Sequence, residues 1–417
     1  MIKKIAVSIC LLFSLVNFAQ EGTSSPYSFY GIGDVRFKGT AENRAMGGVS
    51  IFPDSIHLNI QNPASYSSLK FTTLSIGGSL SSTTLETETQ SEKAQRMSFD
   101  YFAVGLPMGR FGAAFGLMPY SSVGYKVSTE STVGGTRSER RFNGTGGLNR
   151  AFIGASYRIM TGFSFGADVA YNFGRIETTS LQSVDGVQYA TREINTSDIG
   201  GFSVTAGLLY ETKFNEKLKF YSGLSYSTEG NLKSDNARDI AIVQLFVTGG
   251  QGVVDQISVD ATNTTLKIPS RLTFGAGIGE ARKWMIGGEV SLQQSSGQGN
   301  RFEDINGVEF ENGMRYSLGG YFIPKFNSFS SYLSRITYRA GIRHENTGLV
   351  VNNKSIFDTG ATLGLGLPVG GTFSNINVGF EYGKRGTVYG GLVRETYANL
   401  IIGLSLNDRW FVKRKFD

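Results

Sequence analysis

The chain has 417 residues, 55 of them Gly and 8 Pro, with 12% aromatic and 18% charged residues and a formal charge of +6. Much Gly, Tyr and Phe with little charge suits strands that set one face in lipid and the other in a crowded interior, whereas a soluble chain of this length would divide into about two or three domains, and no linker is visible. The charge is slight and its basic residues dispersed, which argues against nucleic acid.

Residues 1–20 read as a secretory signal peptide, with Lys3 and Lys4 ahead of an apolar run from Ile5 to Val16 and cleavage after Ala19 or Gln20. The run is too short to cross a bilayer as a helix, and no other run approaches that length. Cys10, the only cysteine, lies inside it without the small-residue approach of a lipid anchor. The mature chain then has no disulfide, thiol chemistry or thiolate metal site. Loss of the two lysines takes the charge from +6 to +4.

Residues 41–69 follow neither a strand pattern nor a surface-loop pattern. They are rich in small residues at Arg44-Ala45-Met46-Gly47-Gly48, form a turn at Pro53-Asp54 and end in Asn62-Pro63-Ala64. Asn-Pro starts a turn, because proline fixes its own φ and pushes the preceding residue towards extended backbone. The segment is either a linker into the first strand or a plug ahead of a barrel. Its order of motifs, carried by Arg44, Ala45, Gly47, Gly48, Asp54, Asn62, Pro63 and Ala64, resembles the N-terminal plug of the FadL/OmpP1/TodX family of outer-membrane proteins. The resemblance implies a fourteen-stranded barrel filled by an N-terminal hatch, with hydrophobic compounds taken up through it. Beyond residue 69 it rests on architecture alone. The expected division is a plug over 21–69, a transmembrane β-barrel over 70–411 and a basic tail over 412–417.

Fourteen strands are predicted, near 70–82, 96–107, 111–127, 148–159, 163–178, 199–211, 218–232, 267–279, 284–296, 313–323, 332–344, 356–367, 374–384 and 396–406. Phe163, Phe165, Ala167, Val169, Tyr171 and Phe173 alternate with Ser164, Gly166, Asp168, Ala170, Asn172 and Gly174. Ile336, Tyr338, Ala340 and Ile342 alternate with Arg335, Thr337, Arg339, Gly341 and Arg343, and Ile376, Val378, Phe380 and Tyr382 with Asn377, Gly379, Glu381 and Gly383. Successive strand side chains point to opposite faces, so the apolar set meets lipid and the polar set the lumen. Closure is required, because an open sheet would leave unpaired backbone in lipid.

Short connections at 108–110, 160–162 and 280–283 alternate with long ones at 83–95, 128–147, 179–198, 233–266, 297–312, 345–355 and 385–395. Short turns belong to the periplasm and long loops outside, which puts both termini of this outer-membrane chain in the periplasm. The connection 324–331 is long for a turn. The longest loop, 233–266, carries the apolar piece Ile240–Val247 and a Gly-rich bend. It is either a lid or partner-docking loop with a short helix or hairpin, or a loop folded over the barrel's own mouth. Ala398, Leu400, Ile402, Leu404 and Leu406 form a lipid-facing row ahead of Trp410-Phe411, which resembles a C-terminal barrel signal. The basic tail Lys413-Arg414-Lys415 reads as a solvated end.

No catalytic constellation is present. His57 and His344 lack metal-ligand spacing, and no nucleophile elbow or phosphate loop occurs, so neither an enzyme nor a cofactor is expected. Met118-Pro119 interrupts the third strand, since proline removes a ladder donor. The segment through Pro119, Ser121, Ser122 and Gly124 is either a barrel-shaping bulge or, as the family resemblance implies, a kink that opens the wall sideways. The predicted lumen charges are Arg158, Asp168, Arg271, Glu289, Arg335, Arg339, Arg343, Asp358 and Glu381. They must be paired or hydrated, so an apolar ligand would need a pocket of plug aromatics (Tyr27, Phe29, Tyr30, Phe37, Phe52). Those rings could equally be plug core. The family resemblance implies passive uptake of a hydrophobic small molecule with lateral exit into lipid. The alternative is a non-transporting barrel subunit of an outer-membrane protein assembly or secretion complex, docking through 233–266. An open porin fits the polar lumen but not a plug.

Overall fold

The computed structural model describes residues 22–246, 250–301, 307–370 and 373–410. The expected signal peptide, Val247, Phe411 and the basic tail lie outside the described residues. The N-terminal segment holds β1 (Asp34–Val35), one helical turn, α1 (Ala41–Arg44), and 3-10 turns at Pro26–Phe29 and Pro63–Ser68. The sheet follows as β2 (Thr72–Glu86), β3 (Ser91–Met108), β4 (Phe111–Val133), β5 (Thr136–Met160), β6 (Phe163–Val184), β7 (Tyr189–Lys213), β8 (Leu218–Ser227), β9 (Gly230–Leu245) and β10 (Gln251–Asp260). It continues as β11 (Thr264–Ile268), β12 (Ser270–Glu280), β13 (Trp284–Gln294), β14 (Val308–Phe310), β15 (Gly313–Phe322), β16 (Thr337–Val351), β17 (Lys354–Pro368), β18 (Asn375–Arg385) and β19 (Arg394–Asp408).

Every pairing is antiparallel, and β19 pairs β2 from Asp408↔Thr72 to Arg394↔Glu86, which closes the sheet. β8 and β9 share one crossing, as do β10 to β12, and β14 with β15, so the wall is a closed barrel of 14 strands. The alternation read from sequence sets its faces. Phe165, Val169, Tyr171 and Phe173 are exposed, while Ser164, Asp168, Ala170 and Asn172 on the same strand are buried. Ile153, Phe202 and Leu363 are 67%, 65% and 62% exposed. Large apolar side chains pointing out on so many strands require lipid as the outer solvent.

Several expectations are corrected. The connections 128–147 and 179–198 are strand for most of their length, because β4 to β7 continue as paired ribbons past the barrel body. Of the short helix or hairpin expected in the loop 233–266, the hairpin is what forms, and its described residues hold no helix. It is the arm β9–β10, whose β9 also pairs β7 from Tyr189↔Gln244 to Gly200↔Lys233. The expected loop 345–355 is a tight turn at Asn352-Asn353, both with positive φ. Ile336 is buried and Arg335 ends a 3-10 turn (Leu333–Arg335) ahead of β16. Arg335 therefore leaves the strand alternation and stacks over Tyr332 at 5.3 Å.

Inward glycines make room for the N-terminal segment. A Cβ on Gly319 or Gly341 would collide with the backbone of Met46, and one on Gly166 would sit 2.5 Å from Pro63. One on Gly112 would meet the backbone of Tyr66, and one on Gly364 would lie 2.5 Å from the Ala45 Cβ. Part of the high glycine content is thus a seat, where main chain of the segment lies directly on main chain of the wall.

Candidate functional site

The strand pattern puts charged side chains inside a wall already occupied by residues 22–71, and each finds a partner there. Arg44 at the end of α1 holds Glu381 through Nε and Nη2 (2.9 and 2.7 Å) and reaches Asp100 at 3.7 Å. Arg343 bonds the other Glu381 oxygen at 3.0 Å, Asp358 at 3.1 Å and Tyr397 at 2.6 Å. Arg339 bonds Asn377 at 2.9 Å, which donates to Glu42 of α1 at 2.7 Å. Asp168 faces Lys38 at 3.7 Å, and Glu289 accepts from the Ser50 N–H and Oγ at 2.9 and 2.8 Å. Arg158 donates to the Ser67 carbonyl, and Arg271 to Gln293 at 3.2 Å. Of the nine predicted lumen charges, only Arg335 falls outside this set.

The motif residues carry the matching half. The Thr362 hydroxyl donates to the Ala45 carbonyl at 3.1 Å and accepts from Gly47 N–H at 2.9 Å, and Arg315 donates to the Gly47 carbonyl at 2.9 Å. Gly47 and Gly48 have φ of +67° and +91°, where a side chain would be strained. The Gly48 carbonyl accepts from Gln61. Asn62 caps the turn at Pro63-Ala64 by accepting from Ala64 N–H at 3.0 Å, and its amide donates to the Leu208 carbonyl at 3.0 Å. Asp54 accepts from Ile56 N–H at 2.9 Å and contacts His57 Nδ1 at 2.7 Å. Burial opposes the charge on both groups, but their mutual attraction wins, raising the His57 pKa and holding Asp54 down at about 2. His344 is exposed and stacks on Phe357.

The segment around Pro119 is not a break. β4 is continuous, with a bulge against β5 between Pro119 and Ser121. β3 pairs β4 only from Met108↔Phe111 to Phe102↔Leu117. Above that point β4 takes β1 as its neighbour, with Asp34↔Ser122 and Val35↔Ser121 in register. Arg36 N–H adds a bond to the Tyr120 carbonyl at 2.9 Å, and its guanidinium reaches Ser98 of β3. Ser121 donates to the Ile32 carbonyl at 2.6 Å, and Gly124 N–H donates to Ser28 at 3.2 Å. The N-terminal segment thus bridges the two wall strands where they part.

Of the five aromatic residues, Tyr27, Tyr30 and Phe37 line the cavity between segment and wall, with Phe29 edge-on to Tyr30, while Phe52 lies apart from them. Tyr27 and Tyr30 pack with Leu349, Val351 and Ile356, Phe29 joins Tyr125, and Phe52 meets Tyr221. Phe37 lies under the Arg315 guanidinium at 5.0 Å. The cavity left between segment and wall is about 260 Å³ and is lined by Arg36, Arg44, Asp100, Arg271, Arg315, Asp358, Glu381 and Arg385 among others. Partners not singled out from sequence include Asp100, Arg315, Arg385 and Glu395. Arg385 binds Asp34 at 2.7 Å, and Ser25 donates to Glu395. Strand parity would have found Arg315, Arg385 and Glu395. Arg301, a fully buried loop residue donating to the Gly31 and Phe29 carbonyls, has no such signal.

No curated protein matches the sequence. Solved structures of the same fold include the toluene transporter TodX of P. putida (15% identity, 90% of this chain and 100% of that one, TM-score 0.59). A FadL homologue of Pseudomonas aeruginosa matches at 12% identity over 90% and 98% of the two chains (TM-score 0.58). The toluene transporter TbuX of Ralstonia pickettii matches at 14% over 89% and 99% (TM-score 0.57). The barrel is therefore of the FadL/TodX-like fold, and none of these three is named as an enzyme. The sequence profile of the family described as BamG matches residues 1–417, and the chain belongs to that family.

Proposed function

We propose that this protein is a non-transporting outer-membrane barrel that serves as a subunit of an outer-membrane protein assembly or secretion complex. Residues 22–71 act as a fixed plug. The observation that carries the reading is the filling of the lumen. Buried ion pairs and glycine seats tie the segment to wall strands all round, and the cavity that remains is small, with charged side chains interleaved among the apolar ones of its lining. An apolar solute would have to strip water from those charges to pass. The long hairpins face outward from the cell in this reading, and the arm β9–β10 offers the partner surface. The edge of β10 left unpaired among the described residues and exposed Ile242, Val253, Val254 and Ile257 support that assignment.

A second reading is passive uptake of a hydrophobic small molecule with lateral exit beside Pro119. The ending of the β3–β4 ladder at Phe102↔Leu117 favours it, since wall strands part there and only the plug spans the gap. Purification of the full chain from its own outer membrane in gentle detergent, followed by native mass spectrometry, separates the two. Stoichiometric partner chains with an empty barrel support the assembly subunit. A monomer carrying an apolar molecule overturns it in favour of the channel.

A further inference from the structure

Most cavity-lining cations are paired with carboxylates, but two wall arginines are not. Arg271 on β12 bonds the neutral Gln293 through Nε and Nη2. Arg315 on β15 bonds Ser317 through Nε and the Gly47 carbonyl through Nη2. Among the described residues neither has a carboxylate within 4 Å, and neither Nη1 has a hydrogen bond. The nearby acids are committed elsewhere, Glu289 to Ser50 and Glu345 to Arg343 at 3.6 Å. Both arginines line the same cavity, and the register fixes their spacing. Arg271 lies opposite Gln293 and Arg315 opposite Ser291, two residues apart along the intervening β13. Two strand spacings and two residues of rise put their Cα atoms about 12 Å apart, within reach of two guanidinia converging on one ligand.

We propose that Arg271 and Arg315 form a binding site for a small oxyanion, carboxylate or phosphate, inside the lumen. Guanidinium matches both groups through paired N–H donors, and a half-buried cation without a counterion gains most from receiving one. At about 260 Å³ the cavity admits a small solute only. Phe37 under Arg315 and the lining Phe310 give such a solute an apolar wall on one side. The site is independent of whether the barrel transports or docks.

The test is isothermal titration of the purified full-length barrel in zwitterionic detergent with inorganic phosphate and, separately, succinate. Binding of one or both is expected, and which one binds names the group. R271Q and R315Q should each weaken it about tenfold or more. Because R315Q also removes the clasp on Gly47, the deciding variant is Q293E, which gives Arg271 an internal carboxylate and keeps the fold. It should abolish binding. No heat with either anion at millimolar concentration, or binding unchanged in Q293E, overturns the site.

Discussion

Arg44 of α1 and Glu381 of β18 stand 337 residues apart in sequence and meet through a hydrogen bond from Nε at 2.9 Å and an ion-pair contact from Nη2 at 2.7 Å, both to one carboxylate oxygen. Through Arg44 the N-terminal segment also reaches Asp100 on β3, so one guanidinium spans the wall across the β19–β2 closure.

Replacing Arg44 with Met should destabilise the barrel by about 2 kcal/mol. Removal of one partner of a buried pair costs about 3–5 kcal/mol, but Glu381 keeps Arg343 and Arg44 is partly solvated, which lowers the figure. R44M/E381Q should cost less than the two single changes together, since neither charge is then left alone. Denaturant unfolding in detergent, followed by fluorescence, measures both.

Gly341→Val places a branched side chain where the wall touches the Met46 main chain. Overpacking of this kind costs about 1–3 kcal/mol. The segment should shift from its seat while the strand, which favours Val, stays paired. Limited trypsin digestion of folded protein reads the effect. Cleavage after Lys38 or Arg44 should appear in G341V and be absent from the parent.

The fourteen crossings and their faces were legible because a side-chain period of two is imposed by the pleat and needs no tertiary information. Asp168, Glu289, Arg339, Arg343 and Glu381 were assigned inward on that ground alone, and all are buried or half-buried inside the barrel. Arg335 was misassigned because the chain leaves extended backbone just before β16, where parity has no meaning. The pairing of Arg44 with Glu381, the clamp of Arg301 on Gly31 and the use of glycines as seats depend on which strand faces which turn of the segment. That relationship is long-range and leaves no periodic trace. The length and pairing of the arm β9–β10 were not legible for another reason. Its strands extend beyond the barrel body alongside β7, where apolar alternation is no longer enforced.

Val35 and Ser121 are register partners between β1 and β4. Antiparallel partners have Cα atoms about 4.5–5.5 Å apart, within disulfide range. Cys10 is the only native cysteine, so V35C/S121C should cross-link cleanly on oxidation, shown by mass and by a reductant-sensitive gel shift. As an assembly subunit the oxidised protein should keep its partners. Under the channel reading, locking the segment beside Pro119 should abolish uptake of a hydrophobic probe into proteoliposomes.

The His57–Asp54 contact gives a defined pH window. His57 is raised above its ordinary 6.5, so its stabilisation is complete below pH 6.5 and is lost as pH rises through the raised value. Asp54 is lowered from 3.8 to about 2, so its stabilisation is present above pH 3.8 and is lost as pH falls towards 2. The Asp54 side chain is 43% exposed, and solvent screening limits the pair to about 1 kcal/mol. The difference in unfolding free energy between parent and H57Q should be largest between about pH 4 and 6.5. It should shrink at either end. A difference independent of pH would mean that His57 acts by packing alone.

The arm β9–β10 carries the last expectation. β10 pairs β9 on one side, and among the described residues no strand pairs its other edge, because β13 ends at Gln294. Ile242 and Ile257 lie on one face of the arm, 45% and 63% exposed. An unpaired edge beside exposed apolar side chains is a surface that proteins normally blunt, so its persistence fits a covering partner. In isolation I242E/I257E should change barrel stability by less than about 0.5 kcal/mol, as exposed positions do. In the cell it should deplete the partner chains recovered with the barrel, because two buried carboxylates would have no counterions at the contact. Undiminished recovery with a folded double variant would remove the arm as the docking surface and direct attention to the β4–β5 and β6–β7 ribbons beside it.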